Sequence, residues 1–206
     1  MNSSADLNLH ITDSTDTEQL PVKERLILGG INEIERTGVQ NFSLRHVAQQ
    51  CGVSCAAPYK HFKDKQDFIL GIIHYINAKW NSIQDEIMSR YSGNLHNQLL
   101  EVCMGYVRFL VDNPHFRSII VMLPKSGDPE QLSARHELSA SLKQLVHDYC
   151  AELGISAAVS EMKMFIVRSL IYGAAMFIDN RQLPNDESTM SMVRSAIDRE
   201  LSPSLG

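Results

Sequence analysis

The sequence predicts an all-α protein, with a three-helix, helix-turn-helix domain at its N-terminal end and a larger helical domain after it. Three observations carry this expectation. Apolar residues recur at intervals of three and four from Leu26 onward, the spacing that lines one face of a helix. Gly, Asn-Pro and Pro breaks divide these runs into helix-sized lengths, and no segment sustains the alternation of a half-buried strand. Between Ser43 and Lys65 the breaks come so close together that two short helices must be joined by a tight turn.

The first helix is expected from Pro21 or Val22 to Thr37, with Leu26, Ile27, Ile31 and Ile34 on one face and Gly38 just past its end. Gly29-Gly30 inside it costs helix stability, about 1 kcal/mol per residue against alanine. Close approach of a neighbouring helix is the preferred explanation. The second helix opens at Ser43, whose hydroxyl is placed to cap it, with Phe42 and Val47 as a hydrophobic staple. Gly52 stops it in a left-handed conformation, and Ser54 is expected to cap the third helix two residues on.

A long fourth helix starts after Asp64 and repeats apolar residues at Ile69, Ile72, Ile73, Ile76, Trp80, Ile83 and Ile87. Ser92-Gly93-Asn94 ends it. Leu95 to Val111 is the next helix, with Leu99, Val102, Cys103, Tyr106, Val107 and Leu110 inward, closed by Asn113-Pro114. A short apolar helix from Pro114 to Leu123, a longer one from Glu130 to Leu153, and two more at Ala158 to Asn180 and Glu187 to Leu201 complete the set.

A helix-turn-helix presents its second helix to the major groove, so the Ser43–Lys65 segment points to DNA. Its residues Val53-Ser54, Tyr59, His61-Phe62 and Lys65, preceded by Ser43, Arg45 and Val47-Ala48, resemble the tetracycline-repressor (TetR) family over roughly residues 22–70. The rest of the chain fits that family by length and order of helices. The resemblance implies a homodimeric transcription factor, usually a repressor, whose C-terminal domain binds a small molecule and thereby loosens the grip on operator DNA. With the acidic residues of 1–20 read as a leader, the expected division is that leader, a DNA-binding domain at 21–67, and an effector-binding and dimerisation domain at 68–206.

By motif position, Cys55, Ala56, Ala57, Tyr59, Lys60 and His61 face the groove, and Arg45 projects from the preceding helix. Cys55, Ala56 and Ala57 have no fork for a base edge, and serve close approach and contact with thymine methyls. Arg45 is then the best base reader, through O6 and N7 of guanine. Ser43, Tyr59, Lys60, His61 and Lys65 resemble phosphate anchors, which set register without reading sequence.

Net charge is −5, yet charge matters where a duplex would lie. Residues 43–65 carry four cations, Arg45, Lys60, Lys63 and Lys65, against Asp64 alone, while residues 1–20 hold only acidic charges. That leader is expected to be disordered and cannot act as a basic arm. It also lacks the cations of a targeting peptide, and Arg168 interrupts the most apolar stretch, so a cytoplasmic protein with no membrane partner is expected. Cys51, Cys55, Cys103 and Cys150 show no paired metal-ligand spacing, so neither metal nor other cofactor is expected. No nucleophile and base stand in a recognisable catalytic pattern, which argues against an enzyme.

Polarizable residues along the C-terminal helices, Met104, Phe109, Phe116, Met122, Tyr149, Phe165 and Met176, suit a pocket for an apolar or amphipathic effector. Arg108, Arg117, His147 and Arg168 are candidates for orienting a polar end. Met164, Ile171, Gly173, Phe177 and Ile178 are expected at a two-fold helical interface between protomers. The alternative is a DNA-binding regulator without a small-molecule effector, controlled by a protein partner or by oxidation of Cys55, whose thiol would gain reactivity in the first turn of a helix.

Overall fold

The computed structural model describes residues 19–114, 116, 119 and 129–202. They form helices α1 (Val22–Thr37), α2 (Leu44–Gln50), a 3-10 turn (Pro58–Lys60), α3 (Lys65–Arg90), α4 (Leu95–Asp112), α5 (Pro129–Glu152), α6 (Ala157–Asp179) and α7 (Glu187–Leu201). The described residues contain no strand, so the protein is all-α. The acidic leader through residue 18, Arg117, Met122 and most of the expected Pro114–Leu123 helix lie outside the described residues.

Two compact units emerge. Among described residues, 19–79 with Asn113–His136 make one, and Trp80–Asp112 with 137–202 the other. The helix α3 is unbroken because Phe68, Ile69, Ile72, Ile73, Ile76, Trp80, Ile83 and Ile87 keep helical spacing, and these residues are buried. Asp64 starts it: its Oδ1 accepts from Gln66 N at 2.8 Å and Asp67 N at 2.9 Å. Two orphan donors of the first turn are thereby satisfied.

In the first unit, Leu26, Ile31 and Ile34 of α1 are buried along with Val47 and Ala48 of α2. Phe42, Phe62 and Phe68 meet at its centre, with ring centroids 5.8 Å and 4.8 Å apart across the two contacts. Gly30 faces this cluster, and a Cβ there would lie 2.3 Å from the Phe68 ring. Of the two glycines of α1, Gly30 is thus a packing requirement, as the sequence suggested.

In the second unit α4 packs against α6 and α7, and α6 against α7. The inward residues predicted for α4 are all buried. Trp80 lies against Tyr106 at 4.6 Å and Phe109 at 5.5 Å between ring centroids. Asp186 caps α7 through Thr189 N at 2.8 Å, and Ser156 occupies the same position on α6.

Candidate nucleic-acid interface

The α2 helix ends in two bonds that fix the direction of the chain beyond it. Gly52 has φ +66°, its N–H donates to Gln49 O at 3.1 Å, and Val53 N–H reaches back to Ala48 O at 3.0 Å. This is a Schellman closure, and it throws the chain sharply off the α2 axis.

Past this closure the structure departs from the expected third helix. Ser54 caps no α-helix; Cys55 to Ala57 turn, and Pro58–Lys60 form a single 3-10 turn. The cause is Pro58. In an α-helix the Ser54 carbonyl would accept from the residue four ahead, and Pro58 has no N–H to offer. Ser54 O instead accepts from Ala57 N at 2.9 Å, Ala57 O from Lys60 N at 3.1 Å, and Pro58 O from His61 N at 3.0 Å. These contacts at three residues tighten the coil. With no α-helix beginning at Ser54, the macrodipole on which the oxidation reading of Cys55 rested is absent. Ser43 does stand at the N-cap of α2, in extended conformation, but its side chain makes no capping bond and the residue is exposed.

The side chains singled out in the head fall mainly on its surface. Ser43, Arg45, Cys55, Ala56, Lys60 and His61 are exposed, Ala57 is half-buried, and Tyr59 is 59% exposed. Phe62 is buried, so within the Tyr-x-His-Phe run only the Phe belongs to the core. Lys65 is committed inward: its Nζ donates to Gln40 O at 3.0 Å and stands 4.5 Å from the Phe42 ring centre. Its charge remains near the surface, on a stem with less freedom than those of Lys60 and Lys63.

The brace that holds this surface in shape was not legible in the sequence. Glu33 of α1 is 3% exposed and accepts from three side chains: His46 Nδ1 of α2 at 2.8 Å, Arg36 at 3.0 Å and Gln50 Nε2 of α2 at 3.3 Å. Burial raises the Glu33 carboxyl pKa, but the bonds from His46 and Arg36 and their charges outweigh it, leaving the group below the ordinary carboxylate range. Arg25 adds a second clamp by donating to Cys51 O, while Cys51 Sγ donates to Arg25 O at 3.3 Å. The one available signal was an acidic residue, Glu33, on the apolar face of α1. Nothing in linear spacing names its partners.

Elsewhere the candidate residues separate by face. Met104, Phe109, Phe116 and Tyr149 are buried in packed interiors, whereas Phe165 is 71% and Met176 50% exposed on α6. Met164, Ile171 and Ile178, expected at an interface between protomers, instead face inward, since their spacing of seven keeps them on the buried side of α6. Gly173 is half-buried and Phe177 is 50% exposed. The outward stripe is Met162, Phe165, Ser169, Gly173, Met176 and Phe177. Arg168 is exposed, and His147 is taken up by Ser160 at 2.8 Å and Glu161 at 3.3 Å. No cluster able to hold a metal occurs among the described residues, and no helix there is long and apolar enough to cross a membrane.

Residues 26–72 match the family model of bacterial regulatory proteins, tetR family. An HTH-type transcriptional regulator of Staphylococcus aureus is 27% identical over 84 residues, covering 38% of this chain and 42% of that protein, so the match spans less than half the relative's length. Among solved structures, a TetR-family transcriptional regulator from Rhodococcus sp. superposes with TM-score 0.66 at 17% identity, covering 87% of this chain and 98% of its own. The regulator FadR from Bacillus subtilis, in complex with stearoyl-CoA, gives TM-score 0.67 at 14% identity, covering 87% and 97%. The head of this chain is a tetR-family head, and its fold is that of TetR-family regulators.

Proposed function

We propose that this tetR-family chain is a ligand-responsive DNA-binding transcriptional regulator, a repressor released from its operator by a small apolar or amphipathic effector. The observation that carries the DNA half is the exposed set on the head, Ser43, Arg45, Tyr59, Lys60 and His61, held by buried Glu33 and by the Schellman closure at Gly52. Arg45 reads a base edge; Ser43, Tyr59, Lys60, His61 and Lys65 anchor phosphates. Cys55, Ala56 and Ala57 allow close approach. The working division is a DNA-binding domain at 21–67 and an effector and dimerisation domain at 68–206.

The protein works as a homodimer, since an operator with two half-sites needs two heads at fixed spacing. The C-terminal part of the outward stripe of α6, with Gly173, Met176 and Phe177, and Met192 exposed on α7, supplies the surface that a partner protomer would cover. Operator DNA places its activity in the cytoplasm, and no catalytic role is assigned. The effector half draws support from the stearoyl-CoA bound to a structural neighbour.

The test is a gel shift on the DNA upstream of its own gene, with wild type and Arg45→Ala, at two salt concentrations and against unrelated competitor. Selective, salt-sensitive binding that the variant loses supports the reading. Equal binding to the competitor overturns it.

A further inference from the structure

The second unit holds an open cleft of about 520 Å³ between α5 and α6, with Lys143, Met164, Phe165, Arg168 and Tyr172 among its lining residues. Its polar groups are unequal. Glu161, which also lines the cleft, is already engaged by Lys143 at 3.1 Å and by the His147 ring at 3.3 Å, so the Lys143 charge is paired in place. Arg168 has no carboxylate within ion-pair distance among the described residues.

Below the cleft, Tyr172 Oη lies 3.1 Å from Tyr106 Oη, whose residue is 1% exposed. Two hydroxyls in contact have two protons and use one between them, so the pair retains one donor for a third group. Burial, with the neighbouring Tyr172 hydroxyl, pushes the Tyr106 pKa well above its ordinary value, and the Arg168 charge acts on it in the opposite direction. Tyr106 therefore stays protonated, with the Arg168 guanidinium close by. Exposed Phe165 and the side chain of Met164 give the same cleft an apolar wall.

We infer that this cleft binds an amphipathic monocarboxylate, its carboxylate on Arg168 and the Tyr172–Tyr106 hydroxyl pair and its apolar part along Phe165 and Met164. A guanidinium and one hydroxyl donor match the two oxygens of a carboxylate. A phosphate dianion, with twice the negative charge, fits worse, because only one cation among the described lining residues is uncommitted and the Glu161 carboxylate also lines the cleft. Of the four polar candidates named from the sequence, Arg168 takes the role. The inference rests on the effector reading above and supplies its chemical class.

The sole tryptophan of the chain reports on the site, since the Trp80 ring lies 4.6 Å from the Tyr106 ring, tilted against it. Full-length protein is titrated with sodium decanoate, 3-phenylpropanoate, 1-decanol and inorganic phosphate, by calorimetry and Trp80 fluorescence. At least one carboxylate binds with a fluorescence change, and 1-decanol and phosphate bind more weakly by about tenfold or more, the loss expected for one charge-assisted hydrogen bond. Arg168→Gln weakens the carboxylate by a similar factor, Arg168→Lys restores part of it, and Tyr172→Phe gives a smaller loss. Failure of both carboxylates to bind, equal binding of 1-decanol, or full affinity in Arg168→Gln overturns the inference. Carboxylate binding that depends on Arg168 but leaves operator affinity unchanged upholds the site and removes the effector reading instead. A change in operator affinity caused by a ligand indifferent to Arg168 does the reverse.

Discussion

Glu33 of α1 and His46 of α2 are joined by a 2.8 Å contact between a carboxylate that is almost completely buried and an imidazole Nδ1. Thirteen positions separate them in sequence, yet the bond sets the angle at which α2, and with it Arg45, leaves α1. Arg36 and Gln50 complete the set of donors, so the buried charge is satisfied on more than one side.

Glu33→Gln should destabilise the head by about 1–3 kcal/mol at neutral pH, the range for losing hydrogen bonds to a buried charged group. The pH dependence comes from its lowered pKa. The unfolded carboxylate takes up its proton at a higher pH than the folded one, so the stabilisation is complete above the ordinary value of about 4.3 and vanishes as pH falls through the folded value. Urea unfolding of wild type and variant at pH 7, 4 and 3 checks this. A gap between the two that stays constant over that range would contradict it.

Arg45→Ala should cost about 1–3 kcal/mol of binding to operator DNA and little on unrelated DNA, because a base reader carries discrimination. Lys60→Ala should weaken both alike and lower the salt dependence by about one phosphate contact. Fluorescence anisotropy across a salt series separates the two behaviours.

Gly30→Ala should destabilise the protein, since the added methyl would meet ring atoms of the buried Phe68 at 2.3 Å. Overpacking of this kind costs about 1–3 kcal/mol and exceeds the gain in helix propensity. Gly29→Ala meets only the movable Sγ of Cys51 at such short range, 2.7 Å, and should be nearer to neutral. Paired thermal melts rank the two, and the reverse order would be incompatible with the α1 packing described.

Phe177→Asp should yield monomers at micromolar concentration while preserving the helical spectrum, because the side chain is half exposed and lies in the apolar stripe of α6. Light scattering beside circular dichroism decides it; an undiminished dimer would move the interface elsewhere.

Cys55→Ser should bind operator DNA as wild type does, and peroxide should leave both affinities unchanged. The thiol is exposed in a turn and no α-helix begins beside it. A peroxide effect confined to wild type would revive control by oxidation.

Short-range chemistry along the chain was enough to set the helices, most of their ends and the position of the tight turn. Gly52 needs only its own positive φ, Asp64 only the next three amides, and α7 begins and ends at the residues its punctuation names. One local signal was misread, for Pro58 removes the bond that an α-helix after Ser54 requires. Features that depend on partners distant in the chain were settled only by folding. Apolar residues cover α6 on both sides, so composition could not choose which side faces out; packing against α4 and α7 buried Met164, Ile171 and Ile178 and left Phe165, Met176 and Phe177 in solvent. The same holds for charge. Glu33 becomes a brace, and Arg168 a candidate anion ligand, only when folding brings His46 to one and the Tyr106–Tyr172 pair beneath the other, because hydrogen bonds and ion pairs act over a few ångströms of space and are blind to separation along the chain.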